Sequence, residues 1–225
     1  MAWDFAAEIH ALSGFNADDA TNSTEAGELY SLHANQWLKE GAKEIINLLP
    51  PKLKEKCATV THLYTGNTDT TMDMDSADEI LYVTRENANA GYQTPCRELD
   101  AMNAALAVDS ANMMHYASET DPVYYISSAA GASTLHVVPL PTAVQPAMIF
   151  HITYPSVAYT DTAIANFPNE AEHLVTLYAA IKATEYMMLF EEDQEVYGPQ
   201  LTALKQDYQQ GLSSIAGSPK GKDVR

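Results

Sequence analysis

The sequence predicts a mainly α fold with a small antiparallel β insertion, an α+β arrangement built as a helical-bundle subunit. Segments with apolar residues at three- and four-residue intervals lie towards both ends of the chain. Short runs of β-branched and aromatic residues lie between them. We therefore expect one compact domain with N-terminal helices over residues 1–58, a β-rich insertion with a short helix over 59–160, a C-terminal helical hairpin over 161–216 and a flexible tail over 217–225.

Two helices are predicted in the N-terminal part. Trp3–Leu12 is a short amphipathic segment, and a polar, acidic loop without periodicity follows it. The second helix is predicted over Glu25–Leu49 and ends at Pro50. Gly41 weakens the middle of this helix by about 1 kcal/mol relative to alanine. A glycine at this place indicates that a neighbouring element approaches closely.

The β insertion is predicted from short runs with strand-like composition. These runs are Thr59–Tyr64, Glu79–Arg85, Pro122–Ser127, Thr134–Leu140 and Ala147–Tyr154. The SAAGAS segment between the third and fourth runs predicts a hairpin loop. Gly91–Arg97 is irregular, and the Ala- and Met-rich segment Glu98–Ala117 is compatible with a helix.

The clearest helix in the sequence is predicted over Asn166–Asp193. Its apolar residues cover most of the circumference, which indicates burial on more than one side. One side can face the core of the chain itself, and the other needs another element or another subunit. A further helix is predicted to begin at Gly198-Pro199, with an apolar stripe along it. The stripe consists of Leu201, Leu204, Tyr208, Leu212 and Ile215.

The charge balance excludes some classes of partner. The chain has 30 acidic and 12 basic residues and a net charge of −18. This argues against tight sequence-specific nucleic-acid binding, which needs basic surfaces against phosphate, but not against a surface that DNA passes without sticking. The basic cluster Lys52–Lys56 is typical of a solvated face.

No targeting or membrane signal is evident in the sequence. Cys57 and Cys96 form neither a metal-binding nor a disulfide pattern, which favours a reduced compartment. A signal peptide is not recognisable, and no apolar run approaches the roughly 18–20 residues of a membrane span. We expect a soluble protein made in a cytoplasm.

The residues that resemble a chemical site are an acidic loop and scattered histidines. The loop contains Asp69, Asp73, Asp75, Asp78 and Glu79. Its density suggests a divalent cation, but the spacing does not match a calcium loop, so an exposed acidic loop is favoured. His136 and His151 lie on neighbouring strand-like runs and can meet in space, although two partly buried structural histidines are favoured over a site.

Catalytic motifs are missing from the sequence. It contains no GxSxG, Walker A, GxGxxG or HExxH pattern, and no nucleophile with a neighbouring base. We therefore predict no catalytic, cofactor-binding or metal-binding residues and no enzymatic activity. The remaining hypothesis is an interaction protein, because the last two predicted helices carry more apolar surface than one helical layer needs.

Five stretches of the chain carry a resemblance to a known family. They are WDFAAEIHALSGF, WLKEGAKEIINLLPP, DPVYYI, TLHVVPLP, and FHITYPSVAYTD followed by FPNEAEHLVTLYAAIKA. In this order they resemble the head–tail adaptor (connector) proteins of tailed bacteriophages. The resemblance is to the adaptors of podovirus-type and related marine phages in particular, and it covers nearly the whole chain.

The resemblance implies a subunit of a ring, with dodecamers as the typical assembly. Such rings dock beneath the portal, join it to the downstream tail or nozzle protein and extend the channel through which the genome passes. By position, the C-terminal helix and tail are expected at the portal. The expected portal contacts are Leu201, Leu204, Tyr208, Leu212, Lys220, Lys222 and Arg225. The expected contacts between subunits are Tyr186, Met187 and Phe190, where the apolar arc is wide.

The implied location is the head–tail neck of the virion, reached by assembly in the host cytoplasm. Genome DNA passes through the lumen without sequence-specific binding, and no cofactor or membrane is involved. Two alternatives remain at this point. One is another neck or tail component, such as a nozzle or head-completion protein, and the other is a metal-dependent enzyme that uses the Asp69–Glu79 loop.

Overall fold

The computed structural model describes residues 4–16, 26–64, 70–74, 77, 79–87, 91–129, 131–190 and 194–216. They belong to two compact units. The helical unit comprises Met1–Cys57 and Tyr154–Arg225, and the β unit comprises Ala58–Thr153. The predicted α+β fold is confirmed.

The described residues form six helices and eight strands. The helices are α1 (Phe5–Ser13), α2 (Ala26–Leu48), α3 (Pro51–Lys54), α4 (Ala104–Ala107), α5 (Asn169–Phe190) and α6 (Gln194–Ala216). The strands are β1 (Ala58–Leu63), β2 (Met72–Asp73), β3 (Glu79–Glu86), β4 (Gln93–Pro95), β5 (Arg97–Glu98), β6 (Val123–Ala129), β7 (Ala132–Val138) and β8 (Ala147–Ile152). Along the described part of the chain, no helix is long and apolar enough to cross a membrane.

Local hydrogen bonds determine where α1 begins and ends. The Asp4 side chain accepts a hydrogen bond from the Ala7 N–H at 2.8 Å and so caps the first turn. At the other end, Gly14 has a φ of +75° and donates its N–H to the His10 carbonyl oxygen at 2.8 Å. This left-handed glycine satisfies an otherwise unpaired carbonyl and ends the helix.

Helix α5 is the centre of the helical unit and packs against α1, α2 and α6. Its buried residues lie on several sides of the helix, as the sequence predicted. They include Ala171, Leu174, Val175, Ala179, Ala180, Ile181 and Ala183. Over most of its length, therefore, elements of the same chain cover the second side of α5.

The start of α6 differs from the prediction. The helix runs through Pro199 instead of beginning there. A proline inside a helix removes one hydrogen bond and is a strong local signal for a boundary. Packing of α6 against α5 outweighs that local cost.

The β unit contains two four-stranded sheets, with strand orders β1-β8-β3-β4 and β2-β7-β6-β5. The predicted hairpin loop is confirmed: β6 and β7 pair antiparallel as far as Ala129 opposite Ala132, and Gly131 has a φ of +90° in the turn. Strands β5 and β6 pair in parallel, unlike the other described pairs. Both sheets contribute to one apolar core, which includes Val83 and Ile149 from the first and Leu135 and Val137 from the second.

Two predictions for the β unit were wrong. Gly91–Arg97 is not irregular throughout, because it contains β4 and the first residue of β5. Glu98–Ala117 forms a 3₁₀ turn and the four-residue α4 instead of one long helix. Beyond α4, the Asn112 side chain accepts hydrogen bonds from the N–H groups of Met114 and His115, each at 3.2 Å. Asparagine side chains that bond the backbone in this way compete with the helix.

Candidate interaction surfaces

The apolar stripe of α6 lies against other helices of the same chain. Leu204 is buried beside Ala180 and Ile181 of α5. Leu201 and Tyr208 are partly buried against the same cluster. Three of the residues expected at the portal therefore stabilise the helical unit itself.

Tyr208 also joins α6 to α2. Its hydroxyl donates a hydrogen bond to Glu44 Oε1 at 3.0 Å. Burial of the phenol raises the pKa of Tyr208, and the neighbouring carboxylate of Glu44 raises it further. The tyrosine therefore stays protonated and remains a donor to Glu44 at physiological pH.

Leu212 lies at an open apolar groove near the ends of α2 and α6. The groove has a volume of about 220 Å³. Its lining residues are Ile45, Leu48, Leu49, Leu212, Ser213 and Ile215. Of the α6 residues expected at the portal, Leu212 lines this groove, and Leu201 and Tyr208 are also partly exposed. Lys220, Lys222 and Arg225 lie outside the described residues.

Tyr186 belongs to an aromatic cluster that joins α5 to α2 and to the segment after α1. Its ring centroid lies 6.2 Å from that of Phe15, 5.8 Å from that of Tyr30 and 5.8 Å from that of Trp37. Burial raises the pKa of Tyr186, and Tyr30 adds to the effect. Tyr186 therefore contributes to the core of its own subunit.

The last described turn of α5 is more exposed than the rest of the helix. Met187 and Met188 are half-buried, and Leu189 is 76% exposed. Phe190 is the last residue of α5, and its side chain lies outside the described part of the structure. Of the residues expected between subunits, Tyr186 and Met187 are both half-buried and so keep part of their surface open.

A second groove lies between α1 and α5, with a volume of about 400 Å³. Its lining residues are Glu8, Ala11, Leu12, His173, Thr176 and Leu177. The Thr176 hydroxyl donates a hydrogen bond to Glu8 Oε2 at 2.9 Å, which holds this carboxylate at the groove. The groove is apolar apart from the Glu8 carboxylate, the Thr176 hydroxyl and the His173 ring.

The β unit displays a set of large, exposed apolar side chains on the segment around α4. Met102 is 95% exposed, Met113 97% and Met114 81%. The hydrogen bonds that the Asn112 side chain accepts from the N–H groups of Met114 and His115 stabilise the turn that carries Met113 and Met114. The composition of the segment favoured a helix, so the sequence did not reveal that these methionines face solvent. Exposed apolar side chains on an ordered turn indicate a surface that binds another protein.

The residues considered for metal binding do not form a site in the described structure. Asp73 lies in β2 opposite Thr134, whereas Asp69, Asp75 and Asp78 lie outside the described residues. Within the described ranges, no group of three or more His, Cys, Asp or Glu side chains is arranged to hold a metal ion.

His136 and His151 belong to different sheets and have separate partners. His136 Nε2 lies 2.9 Å from the Ser127 hydroxyl, and His151 Nε2 lies 2.9 Å from the Thr61 hydroxyl. Hydrogen bonds of this kind are typical of structural histidines, the interpretation that the sequence favoured.

Both cysteines are poor nucleophiles. Burial raises the pKa of Cys57 to about 11, against a smaller opposing effect of Lys54. Burial also raises the pKa of Cys96 to about 12, although the charge of Arg85 opposes it. Because the thiolate is the reactive form, neither residue is suited to covalent catalysis at neutral pH.

Comparison with known proteins identifies the family. A family model described as SU10 adaptor protein matches residues 11–224, which is nearly the whole chain. The chain belongs to the SU10 adaptor protein family. It is a phage head–tail adaptor, as the resemblance implied, and therefore a structural component of the virion and not an enzyme. No curated protein matches the chain.

The β unit of the adaptor contains a buried arginine that sequence reasoning missed. Arg85 is 2% exposed, and its Nη2 donates to Gln145 Oε1 at 3.0 Å. Burial lowers the pKa of Arg85, while the charges of Glu119 and Cys96 act in the opposite direction. Along β3, buried residues alternate with more exposed ones, and Arg85 falls on the buried side. Because a charged residue is expected to face solvent, the sequence did not indicate that Arg85 is buried.

Proposed function

We propose that this adaptor forms a homo-oligomeric ring, a dodecamer by the resemblance, which docks beneath the portal. On its other side the ring contacts the downstream tail or nozzle protein. The ring thereby extends the channel for packaging and ejection of the genome. The observation that carries this proposal is the family match over residues 11–224.

The charge of the chain supports a channel role. We propose that part of the net charge of −18 per copy lines the lumen of the ring and gives it a negative potential. Phosphates are repelled by such a lumen, so DNA slides through it. A basic lumen would bind the DNA and slow it.

The portal contact is proposed for the C-terminal end of the chain. Lys220, Lys222 and Arg225 are basic residues of an otherwise acidic chain, and Leu212 lines the open groove near the end of α6. Leu201, Leu204 and Tyr208 support this end by holding α6 against α5.

A protein partner is also proposed for the exposed methionines. Met102, Met113 and Met114 are flexible, polarisable side chains that adapt to the shape of another surface. They lie in the β unit, so a contact here and a portal contact at the C-terminal end can use different parts of the chain.

The proposed place of action is the neck of the virion, after assembly in the host cytoplasm. A phage that carries a stop codon in this gene tests the proposal. We expect its lysates to contain heads and tails that are not joined, as seen by electron microscopy, and the intact gene supplied in trans to restore joined particles. Joined, infectious particles from the mutant phage without complementation would refute the proposal.

A further inference from the structure

The helical unit has an exposed stripe on α2 whose chemistry differs from the rest of this acidic chain. Leu32, Gln36, Lys39 and Lys43 are spaced by three or four residues, which places them on one face of the helix. Leu32 is 64% exposed, and both lysines are exposed. We call these four residues the α2 stripe.

The two lysines of the α2 stripe have no acidic partner in the described part of the chain. Neither forms an ion pair with the residues that the structure describes. Lys43 Nζ lies 4.8 Å from the centre of the Tyr154 ring, a contact that leaves the ammonium group charged. In a chain with 12 basic residues against 30 acidic ones, this is a surface that favours an acidic partner.

The adjacent glutamates already have partners within the same copy. Gln36 Nε2 donates a hydrogen bond to Glu40 Oε1 at 2.9 Å. Glu44 Oε1 accepts a hydrogen bond from the Tyr208 hydroxyl at 3.0 Å. The charge of these carboxylates remains, but their hydrogen-bonding capacity is partly used, whereas that of Lys39 and Lys43 is available.

The groove between α1 and α5 has the complementary chemistry. Leu12 and Leu177 give it apolar walls, and Glu8 gives it a negative charge. Glu8 Oε2 is held by the Thr176 hydroxyl, and the other oxygen of this carboxylate has no partner among the described residues. The groove therefore suits an apolar side chain followed by a basic one.

Resting on the ring proposed above, we infer that the α1–α5 groove of one copy receives the α2 stripe of the next copy. Leu32 enters the apolar part of the groove, and a stripe lysine pairs with Glu8. A ring closes through heterologous contacts, which need two different and complementary faces on each subunit. Copies with a charge of −18 repel one another, so the contact forms where a basic surface lowers that repulsion.

Charge reversal on the α2 stripe tests this contact. The variant Lys39→Glu/Lys43→Glu is expected to keep its far-UV circular dichroism, because both side chains are exposed. Its melting temperature is expected to fall only slightly, through loss of the contact between Lys43 and the Tyr154 ring. Its self-association, measured by size-exclusion chromatography with light scattering on the full chain, alone and with purified portal protein, is expected to weaken by about 100-fold. A control with matched charge compares Lys39→Glu with Lys52→Glu, which reverses an exposed lysine outside the stripe that has no ion pair among the described residues. Lys52→Glu is expected to assemble like the wild type.

Rescue by the opposite reversal identifies the partner surface. Adding Glu8→Lys to Lys39→Glu/Lys43→Glu is expected to restore a large part of the assembly, because the charges are then exchanged across the contact. Normal assembly of the double variant, or a triple variant that is folded but no better than the double, would overturn the inference.

DNA is the other acidic partner that a lysine stripe can bind. Fluorescence anisotropy with a labelled 20-base-pair duplex distinguishes binding to DNA from binding to a neighbouring copy. If Lys39→Glu/Lys43→Glu weakens DNA binding and leaves assembly unchanged, the stripe serves DNA and the inference is wrong. If the wild type forms no oligomer either alone or with portal, the proposed ring is refuted. If the wild type and the double variant form equal rings, the ring stands and only the inferred contact between the α2 stripe and the α1–α5 groove is refuted.

Discussion

Gly41 of α2 lies directly against the Tyr178 side chain of α5. A Cβ atom added to Gly41 would be 2.9 Å from Tyr178 Cδ1 and 3.2 Å from its Cβ. The sequence predicted a close neighbour at this glycine, and that prediction is confirmed. Gly211 of α6 also lies close to α5, against the Leu174 side chain. Two glycines thus allow α2 and α6 to approach the central helix.

Gly41→Ala is expected to lower the free energy of unfolding by as much as about 2 kcal/mol. Alanine gains about 1 kcal/mol of helix propensity, but the added methyl group must displace a tyrosine within a packed interface. Urea unfolding followed by circular dichroism measures the difference. Ala203→Gly, at an exposed position of α6, is the control that measures helix propensity alone, and it is expected to cost about 1 kcal/mol. A Gly41→Ala variant that is about 1 kcal/mol more stable than the wild type, the full gain in helix propensity, would contradict the packing described here.

Substitution by glutamate is expected to have different effects in the buried part of α5 and at its open end. Ile181 is 7% exposed inside the helical unit, so Ile181→Glu buries a charge and is expected to cost about 4 kcal/mol or more. Leu177→Glu, at a partly buried position, is expected to cost less. Thermal unfolding measures both.

Met187→Glu tests the open end of the same helix. Met187 is half-buried, so we expect the variant to fold and to lose ring assembly in light scattering. Phe190→Glu is predicted to behave in the same way. An unfolded Met187→Glu variant, or one that assembles normally, would show that this end of α5 is not a subunit contact.

The methionine surface can be tested without disturbing the fold. Met113→Gln/Met114→Gln replaces two exposed side chains, and we expect stability to change by less than about 0.5 kcal/mol. Binding to purified portal protein and binding to purified tail protein are measured by calorimetry. We expect the affinity for at least one of these two partners to fall at least tenfold. Val144→Thr, at another exposed position of the β unit, is the control. Unchanged binding to both partners would remove this surface from the proposal.

Glu185 gives the helical unit a small dependence on pH. Its Oε1 lies 2.9 Å from Lys205 Nζ and its Oε2 lies 3.4 Å from Lys182 Nζ. Burial of the carboxyl raises the pKa of Glu185, but the hydrogen bond from Lys205 and the charges of both lysines outweigh it, so the pKa is lowered from its ordinary value. The ion pairs therefore stabilise the fold above the unfolded-state pKa of about 4.3. That stabilisation is lost as the pH falls through the lower folded-state pKa.

Glu185→Gln is accordingly expected to lower the free energy of unfolding by less than about 1 kcal/mol at pH 7, because the Glu185 side chain is a third exposed and solvent screens its ion pairs. Near pH 3 the variant and the wild type are expected to differ less. Urea unfolding at both pH values makes the comparison. A difference that grows on acidification would show that the carboxylate is not stabilised by its lysines.

The elements that the sequence predicted well are those whose pattern and packing agree. In α2, apolar spacing and a terminal proline both indicate the boundaries, and the structure follows them. In β6 and β7, aromatic and β-branched residues flank a small-residue turn, and the hairpin follows. Where local signals and tertiary contacts point to the same structure, a single sequence is sufficient.

The errors arose where tertiary or side-chain interactions overrode local signals. Pro199 signals a helix start, yet packing against α5 continues α6 on both sides of it. The composition of Glu98–Ala117 favours a helix, yet Asn112 and Asp109 bond the backbone and hold it in turns. The two-residue strands β2 and β5 are too short to show a period and form by pairing with longer neighbours.

The candidate surfaces were predicted less well than the fold. The stripe of α6 was recognisable from its spacing, but the same spacing describes a helix that packs inside its own subunit, as Leu204 does. The open groove beside Leu212 and the exposure of Met113 depend on how distant segments meet. No single helix or strand pattern contains that information.

The measurement that tests the central claim most directly is electron microscopy of the purified adaptor mixed with the portal protein of the same phage. We predict closed rings of adaptor stacked coaxially on one face of the portal ring, with an open channel through both. Portal rings without added density, together with a monomeric adaptor in light scattering of the same mixture, would contradict the account.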